Sequence, residues 1–129
     1  PRPYNLGHGF GIKSGGFCEM KKPDLFNELL TIYERHGWQL KAALLTPETV
    51  VELNTTYRDQ LESISVNDSP VDALWFARPS HQQREAWELR LLSETQYALF
   101  ETFEADETEE QRQEMRQEME ARMRDYVQK

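Results

Sequence analysis

Three stretches in which apolar residues alternate with other residues follow one another in the second half of the chain. They span 72–78, 84–92 and 96–104, and short turn-like gaps separate them. Side chains alternate between the two faces of a strand, so this period of two predicts three strands. Because the gaps are short, we expect the strands to form an antiparallel meander.

A helix is predicted after the meander, over 107–127. Its apolar positions recur at intervals of three and four residues and include Met115, Met119 and Met123. Acidic residues gather at its beginning and basic residues near its end, which complements the helix dipole. The apolar stripe is narrow, and methionine adapts to irregular surfaces. The stripe therefore packs either on the protein's own sheet or on a partner.

The first half of the chain has more conventional signals. Apolar residues recur at helical spacing after Pro23, and Gly37 suits the end of this first helix. A strand is predicted over 38–45 and a second helix over 47–62. Residues 65–70 have the Asn, Asp, Ser and Pro content of a loop.

The predicted fold is an α+β domain of two layers. In each strand of the meander one face is more apolar than the other, which is typical of an antiparallel sheet covered by helices on one side. An antiparallel sheet of about four strands would pack against the helices. The order of elements is α-β-α-β-β-β-α, preceded by a Gly-rich N-terminal arm.

Two regions are predicted, an arm over 1–22 and a single α+β domain over 23–129. Five of the six glycines lie before residue 17, and residues 1–22 carry four basic residues against one acidic residue. The arm forms either a small hairpin around Ser14 or an irregular extension. Met20 and the two lysines after it resemble a bacterial start, so we hypothesise that residues 1–19 are an appendage.

Charge excludes several classes of partner. The chain has 15 Lys plus Arg against 23 Asp plus Glu, a net charge of −8. Such a chain repels phosphate backbones and anionic lipid headgroups, so neither nucleic acid nor a membrane is expected as a partner. A single cysteine, Cys18, cannot form an internal disulfide, and no run of about 18 apolar residues occurs. We therefore expect a cytoplasmic protein.

The order helix, three-strand meander, helix over 47–127 is also the order of double-stranded-RNA-binding domains. Those domains place lysines at the start of the last helix to meet phosphates. The matching stretch here, 104–110, is acidic. The comparison is therefore a topological analogy, and it indicates no family.

Candidate catalytic and ligand-binding motifs are few. The glycines of 7–14 suggest a phosphate loop, but Ile12 stands where that loop needs a glycine, which favours a flexible arm. Cys18 lacks a recognisable base and is interpreted as a bystander thiol. The histidines are far apart without the spacing of metal ligands; they are His8, His36 and His81. We predict no metal, no cofactor and no catalytic residue.

Three glutamates on adjacent predicted strands could form a carboxylate pair for acid–base chemistry. They are Glu85, Glu88 and Glu101. Arginines lie beside them in sequence, so cross-strand ion pairs are the favoured interpretation. The polar loop 79–83 is interpreted first as a hairpin tip and second as a recognition loop.

Protein interaction is favoured over catalysis by the aromatic residues and the methionine stripe. Tryptophan and arginine are enriched in binding hot spots, and a sheet covered on one face could expose an indole. The predicted partner-binding residues are Trp75, Arg78, Arg84, Trp87, Met115, Met119 and Met123. A predicted acidic surface comprises Glu101, Glu104, Asp106, Glu107, Glu109 and Glu110.

The leading hypothesis is a small acidic protein-interaction module, homodimeric and non-catalytic. One alternative is an inhibitor or immunity-type protein whose acidic surface masks a basic site of a nucleic-acid enzyme. Another is a small-molecule binder or enzyme with a pocket between sheet and helices, lined by Trp75, Trp87 and Tyr97.

Overall fold

The computed structural model describes residues 20–128. Their centre is a mixed five-stranded sheet of order β2-β1-β3-β4-β5. The strands are β1 (Gln39–Leu45), β2 (Ser65–Asp68), β3 (Ala73–Pro79), β4 (Glu85–Leu91) and β5 (Ala98–Phe103). The helices are α1 (Lys22–Arg35), α2 (Pro47–Asn54), α3 (Arg58–Glu62) and α4 (Glu109–Gln128). The predicted meander and C-terminal helix are thus confirmed, as is the α+β class.

The predicted second helix is two helices. Thr46 caps α2 by accepting a hydrogen bond from the Thr49 backbone N–H at 3.3 Å. The helix ends at Asn54, and Tyr57 leaves the helical conformation with φ −118° and ψ 33°. Tyr57 packs on Phe26 of α1, with ring centroids 5.1 Å apart. The segment between α2 and α3 thus contains a residue, Tyr57, that packs on α1.

The prediction of a loop over 65–70 is wrong for its first four residues. They form β2, which pairs in parallel with β1 from Ala42–Ser65 to Leu45–Asp68. All four residues of β2 are exposed, so the strand has no alternation of apolar and polar positions to reveal it. The sheet is consequently mixed and has five strands.

Helices cover both faces of the sheet, which corrects the expected two-layer arrangement. On one face, called face 1 here, Leu74 and Phe76 of β3 pack with α1, α2 and α3 in one core cluster. On the opposite face, face 2, Trp75 of β3 packs with Met119 and Met123 of α4. The sheet has no wholly open face on which a partner could dock.

A bulge in β1 changes which residues share a face. Leu40 pairs with Phe76, whereas Ala42 pairs with Trp75, so the register shifts across Lys41. An extra residue in one strand reverses the alternation beyond it. Leu40 therefore packs on face 1 and Leu44 on face 2, although simple alternation places both on one face.

The β3–β4 hairpin ends in a strained turn. Gln82 and Gln83 have φ of 60° and 64°, in the left-handed region. Arg84 donates its backbone N–H to the His81 carbonyl at 3.1 Å and closes the turn. Positive φ at both central residues of the β-turn from His81 to Arg84 is the pattern of type I′, which strongly favours Asn-Gly.

We expect the double substitution Gln82→Asn and Gln83→Gly to raise the free energy of unfolding by about 1–2 kcal/mol, because asparagine tolerates the left-handed region better than other residues with a Cβ and glycine adopts it without a Cβ penalty. Thermal denaturation should show the midpoint rising by roughly 5 °C. Gln82→Ala keeps the Cβ that causes the strain and serves as the control. An unchanged midpoint in the double variant would refute the turn assignment.

The predictions made for residues 1–19 lie outside the described residues. They include the hairpin around Ser14, the phosphate loop, Cys18 and the appendage itself. The boundary between an arm over 1–22 and a domain over 23–129 remains a prediction.

Candidate interaction surface

The predicted partner-binding residues of face 2 lie inside the protein. Trp75, Met119 and Met123 are fully or almost fully buried between the sheet and α4, and Trp87 and Met115 are half-buried beside them. The stripe is narrow because α4 contacts the sheet along a single line and its other sides face solvent. The methionines that were predicted to meet a partner thus belong to the core.

Intramolecular contacts also engage the polar side chains at the edge of face 2, although the buried Nε of Arg112 has no hydrogen-bond partner among the described residues. The Trp87 indole N–H donates to Glu85 at 3.1 Å, and Arg112 pairs with the same carboxylate at 2.9 Å. The Arg116 guanidinium lies 4.6 Å from the Trp87 ring centroid. Arg84, another predicted partner-binding residue, pairs with Glu104 at 2.9 Å. This cluster holds α4 on the sheet.

The acidic surface is exposed or half-exposed around the β5–α4 junction, and its own chain engages half of it. Glu104 pairs with Arg84, Glu109 pairs with Arg116, and Glu107 accepts the Glu104 backbone N–H at 2.6 Å. The other three acids make no hydrogen bond or ion pair among the described residues; they are Glu101, Asp106 and Glu110.

The three glutamates considered for acid–base chemistry do not converge. Glu85 and Glu101 point to face 2, whereas Glu88 points to face 1. Glu88 is only 3% exposed and accepts a hydrogen bond from the Tyr33 hydroxyl. In register it lies between Phe76 of β3 and Phe100 of β5. A substrate cannot reach a carboxylate buried in this way.

The remaining ligand-binding possibilities receive little support from the geometry. Within residues 20–128 no group of three His, Cys, Asp or Glu side chains could hold a metal ion. None of the helices in that range combines the length and apolar character needed to cross a bilayer. A surface recess of about 660 Å³ lies between the start of α1 and the end of α2. Its lining includes Met20, Lys22, Glu52 and Thr56.

Two of the aromatic residues proposed to line a small-molecule pocket, Trp75 and Tyr97, contact α4 instead. Trp75 is buried against the α4 methionines, and its indole N–H donates to Glu120 at 2.8 Å. Tyr97 stacks on Tyr126 with ring centroids 3.6 Å apart. Aromatic rings that were expected to line a pocket therefore pack against α4.

An exposed apolar side chain lies on the β5 edge of the sheet. Phe100 of β5 is 48% exposed on face 1 and does not belong to the core cluster that α1 forms with the sheet. Its ring meets Trp38 edge-on, with centroids 6.3 Å apart. Arg78 lies 5.1 Å from the Trp38 centroid and donates to the His36 carbonyl at 2.7 Å. These three side chains, Phe100, Trp38 and Arg78, are called the Phe100 patch.

The backbone edge beside this patch is also open. β5 pairs with β4 on one side, and no strand within residues 20–128 pairs with its other side. Every second amide and carbonyl of an edge strand points outward and can pair with another chain. β5 lacks proline and lysine, two residues that commonly prevent such pairing, and Glu101 is its only charge.

Of the predicted partner-binding residues, only Arg78 lies on this surface. Phe100 was not predicted, because alternation shows that it shares a face with Ala98 and Thr102 but not which face a helix covers. Trp38 belongs to the core and is 9% exposed.

Comparisons with known proteins add no identification. No protein-family model, curated protein or solved structure matches the chain.

Proposed function

We propose that the protein is an acidic, cytoplasmic, non-catalytic interaction module that forms a homodimer through the Phe100 patch and the open edge of β5. The observation that carries this proposal is the coincidence of an exposed aromatic ring with an unpaired strand edge. Burial of Phe100 gains hydrophobic free energy, and pairing of the edge satisfies backbone groups that water otherwise solvates.

Charge favours this surface for self-association. A chain of net charge −8 repels its own copy wherever acidic residues meet. β5 carries one acidic residue in six, whereas residues 104–110 carry five in seven. Two copies can therefore approach at β5 with less repulsion than at the start of α4.

The inhibitor hypothesis has weaker support. It rests on the acidic surface, but three of the six acids already form ion pairs or hydrogen bonds within the chain: Glu104, Glu107 and Glu109. An inhibitor that relies on charge needs acids that are free to meet a basic partner. Three free acids remain, so this hypothesis stands second.

Sedimentation equilibrium of the full chain from roughly 1 to 200 µM tests the proposal. We expect a monomer–dimer equilibrium, because one strand edge and one exposed ring make an interface below the usual size of about 1,600 Å². Added salt should strengthen the dimer slightly, since it screens repulsion between two acidic copies. A strict monomer at all concentrations would sink the proposal.

The same salt series separates the two hypotheses. An acidic surface that binds a basic partner loses affinity as salt rises. A protein that stays monomeric and captures a polycationic peptide only at low salt would support the inhibitor hypothesis instead.

A further inference from the structure

We propose that the two copies pair antiparallel along β5 with their two-fold axis at Phe100, which joins two five-stranded sheets into one continuous sheet. This inference rests on the proposed function and adds the register, the direction and the opposing residues. Three observations determine them: the alternation of β5, the position of its single charge, and the acidic segment that follows it.

Direction follows from the acidic segment. Residues 104–110 continue directly from the C-terminal end of β5 and contain five acidic residues. A parallel arrangement places these segments side by side in the two copies. An antiparallel arrangement places them at opposite ends of an interface that is roughly 20 Å long, beyond the Debye length of about 8 Å at physiological salt. Repulsion therefore selects the antiparallel direction.

Register follows from the alternation. Directly opposed residues in an antiparallel pair share a face, so the two-fold axis passes beside either Phe100 or Glu101 near the middle of β5. An axis at Glu101 sets that carboxylate directly against its own copy, which is unfavourable. An axis at Phe100 opposes the two aromatic rings instead, and aromatic cross-strand pairs are favourable.

The Phe100 register also suits the neighbouring positions. It places Ala98 of one copy opposite Thr102 of the other on face 1, and Leu99 opposite Glu101 on face 2. Ala98, Leu99 and Thr102 are half-buried in one copy, and a second strand increases their burial. No position of the five-residue pairing over 98–102 then opposes like charges.

Cysteine cross-linking in a Cys18→Ser background tests the register. Ala98→Cys and Thr102→Cys are made as separate full-length variants with different tags and are then mixed and oxidised. Opposed residues of an antiparallel pair have Cα atoms about 4.5–5.5 Å apart, within reach of a disulfide. When two copies of Thr102→Cys pair in this register, their substituted positions lie four residues apart along the strands. That distance is roughly 13 Å, which a disulfide cannot bridge.

The expected result is a mixed disulfide at a yield roughly tenfold above that of either variant alone. Leu99→Cys mixed with Glu101→Cys tests the same register on face 2 and serves if a face 1 variant fails to fold. Efficient self-linking of Thr102→Cys would show parallel pairing or an axis at Thr102, and efficient self-linking of Glu101→Cys would place the axis at Glu101. Either result overturns this inference and leaves the homodimer standing, whereas a strict monomer overturns both.

Discussion

Replacing Phe76 by alanine is expected to lower the free energy of unfolding by about 3–5 kcal/mol, the range for deleting a buried phenylalanine side chain. Phe76 lies at the centre of β3 and is fully buried on face 1. Tyr33 of α1 stacks on it with ring centroids 4.0 Å apart and 11° between ring planes. The substitution removes this contact and leaves a cavity between α1 and the sheet.

Such a loss is a large part of the total stability, which for a domain of this kind is about 5–15 kcal/mol. Urea denaturation at a fixed protein concentration measures it, since association also affects apparent stability. Val51→Ala on α2 is the control: its side chain is 70% exposed, and we expect a change below about 0.5 kcal/mol. A loss below about 1 kcal/mol for Phe76→Ala would contradict the packing of α1 on face 1.

Replacing Phe100 by lysine is expected to weaken the dimer at least about 100-fold, as truncation of a hot spot worth near 3 kcal/mol does. In the proposed register the two lysines oppose each other at the two-fold axis. Lysine on an edge strand is also a common natural device against strand pairing. Sedimentation velocity should show a monomer at concentrations at which the parent chain dimerises.

The fold should tolerate this substitution, because Phe100 is half-exposed and lysine would lie opposite the buried carboxylate of Glu88 across the strand pair. Val51→Lys is the matched control, since it makes the same change of net charge at an exposed position on α2. We expect Val51→Lys to dimerise like the parent chain. If both variants dimerise equally well, Phe100 is not part of the interface.

The elements that sequence reasoning found are those with a strong local period. β3, β4 and β5 alternate over six or seven residues, and α4 carries both a stripe and complementary end charges. β2 was not predicted, because its four residues, Ser-Val-Asn-Asp, have no apolar face. They form a strand by pairing with β1. That pairing joins residues more than 20 positions apart, which no local pattern records.

The candidate surface was harder to predict than the fold. Alternation shows which side chains share a face, but the helix that covers a face is determined by tertiary packing. The narrow stripe of α4 was consistent with packing on the sheet or on a partner, and Met119 and Met123 pack over Trp75 in the core. Phe100 has the sequence pattern of a core residue of a strand, yet it is 48% exposed and belongs to neither core cluster. Only Arg78 was both predicted and found at this surface.

Amide hydrogen exchange of the full chain at low and high protein concentration tests the central claim, self-association through the edge of β5, most directly. Outward-pointing amides of an edge strand exchange freely in the monomer and are protected when a second strand pairs with them. Peptides covering β5 should exchange more slowly at high concentration, while peptides covering β2, the opposite edge of the sheet, should not change. Protection confined to β2 or to α4, with β5 unchanged, would contradict the account.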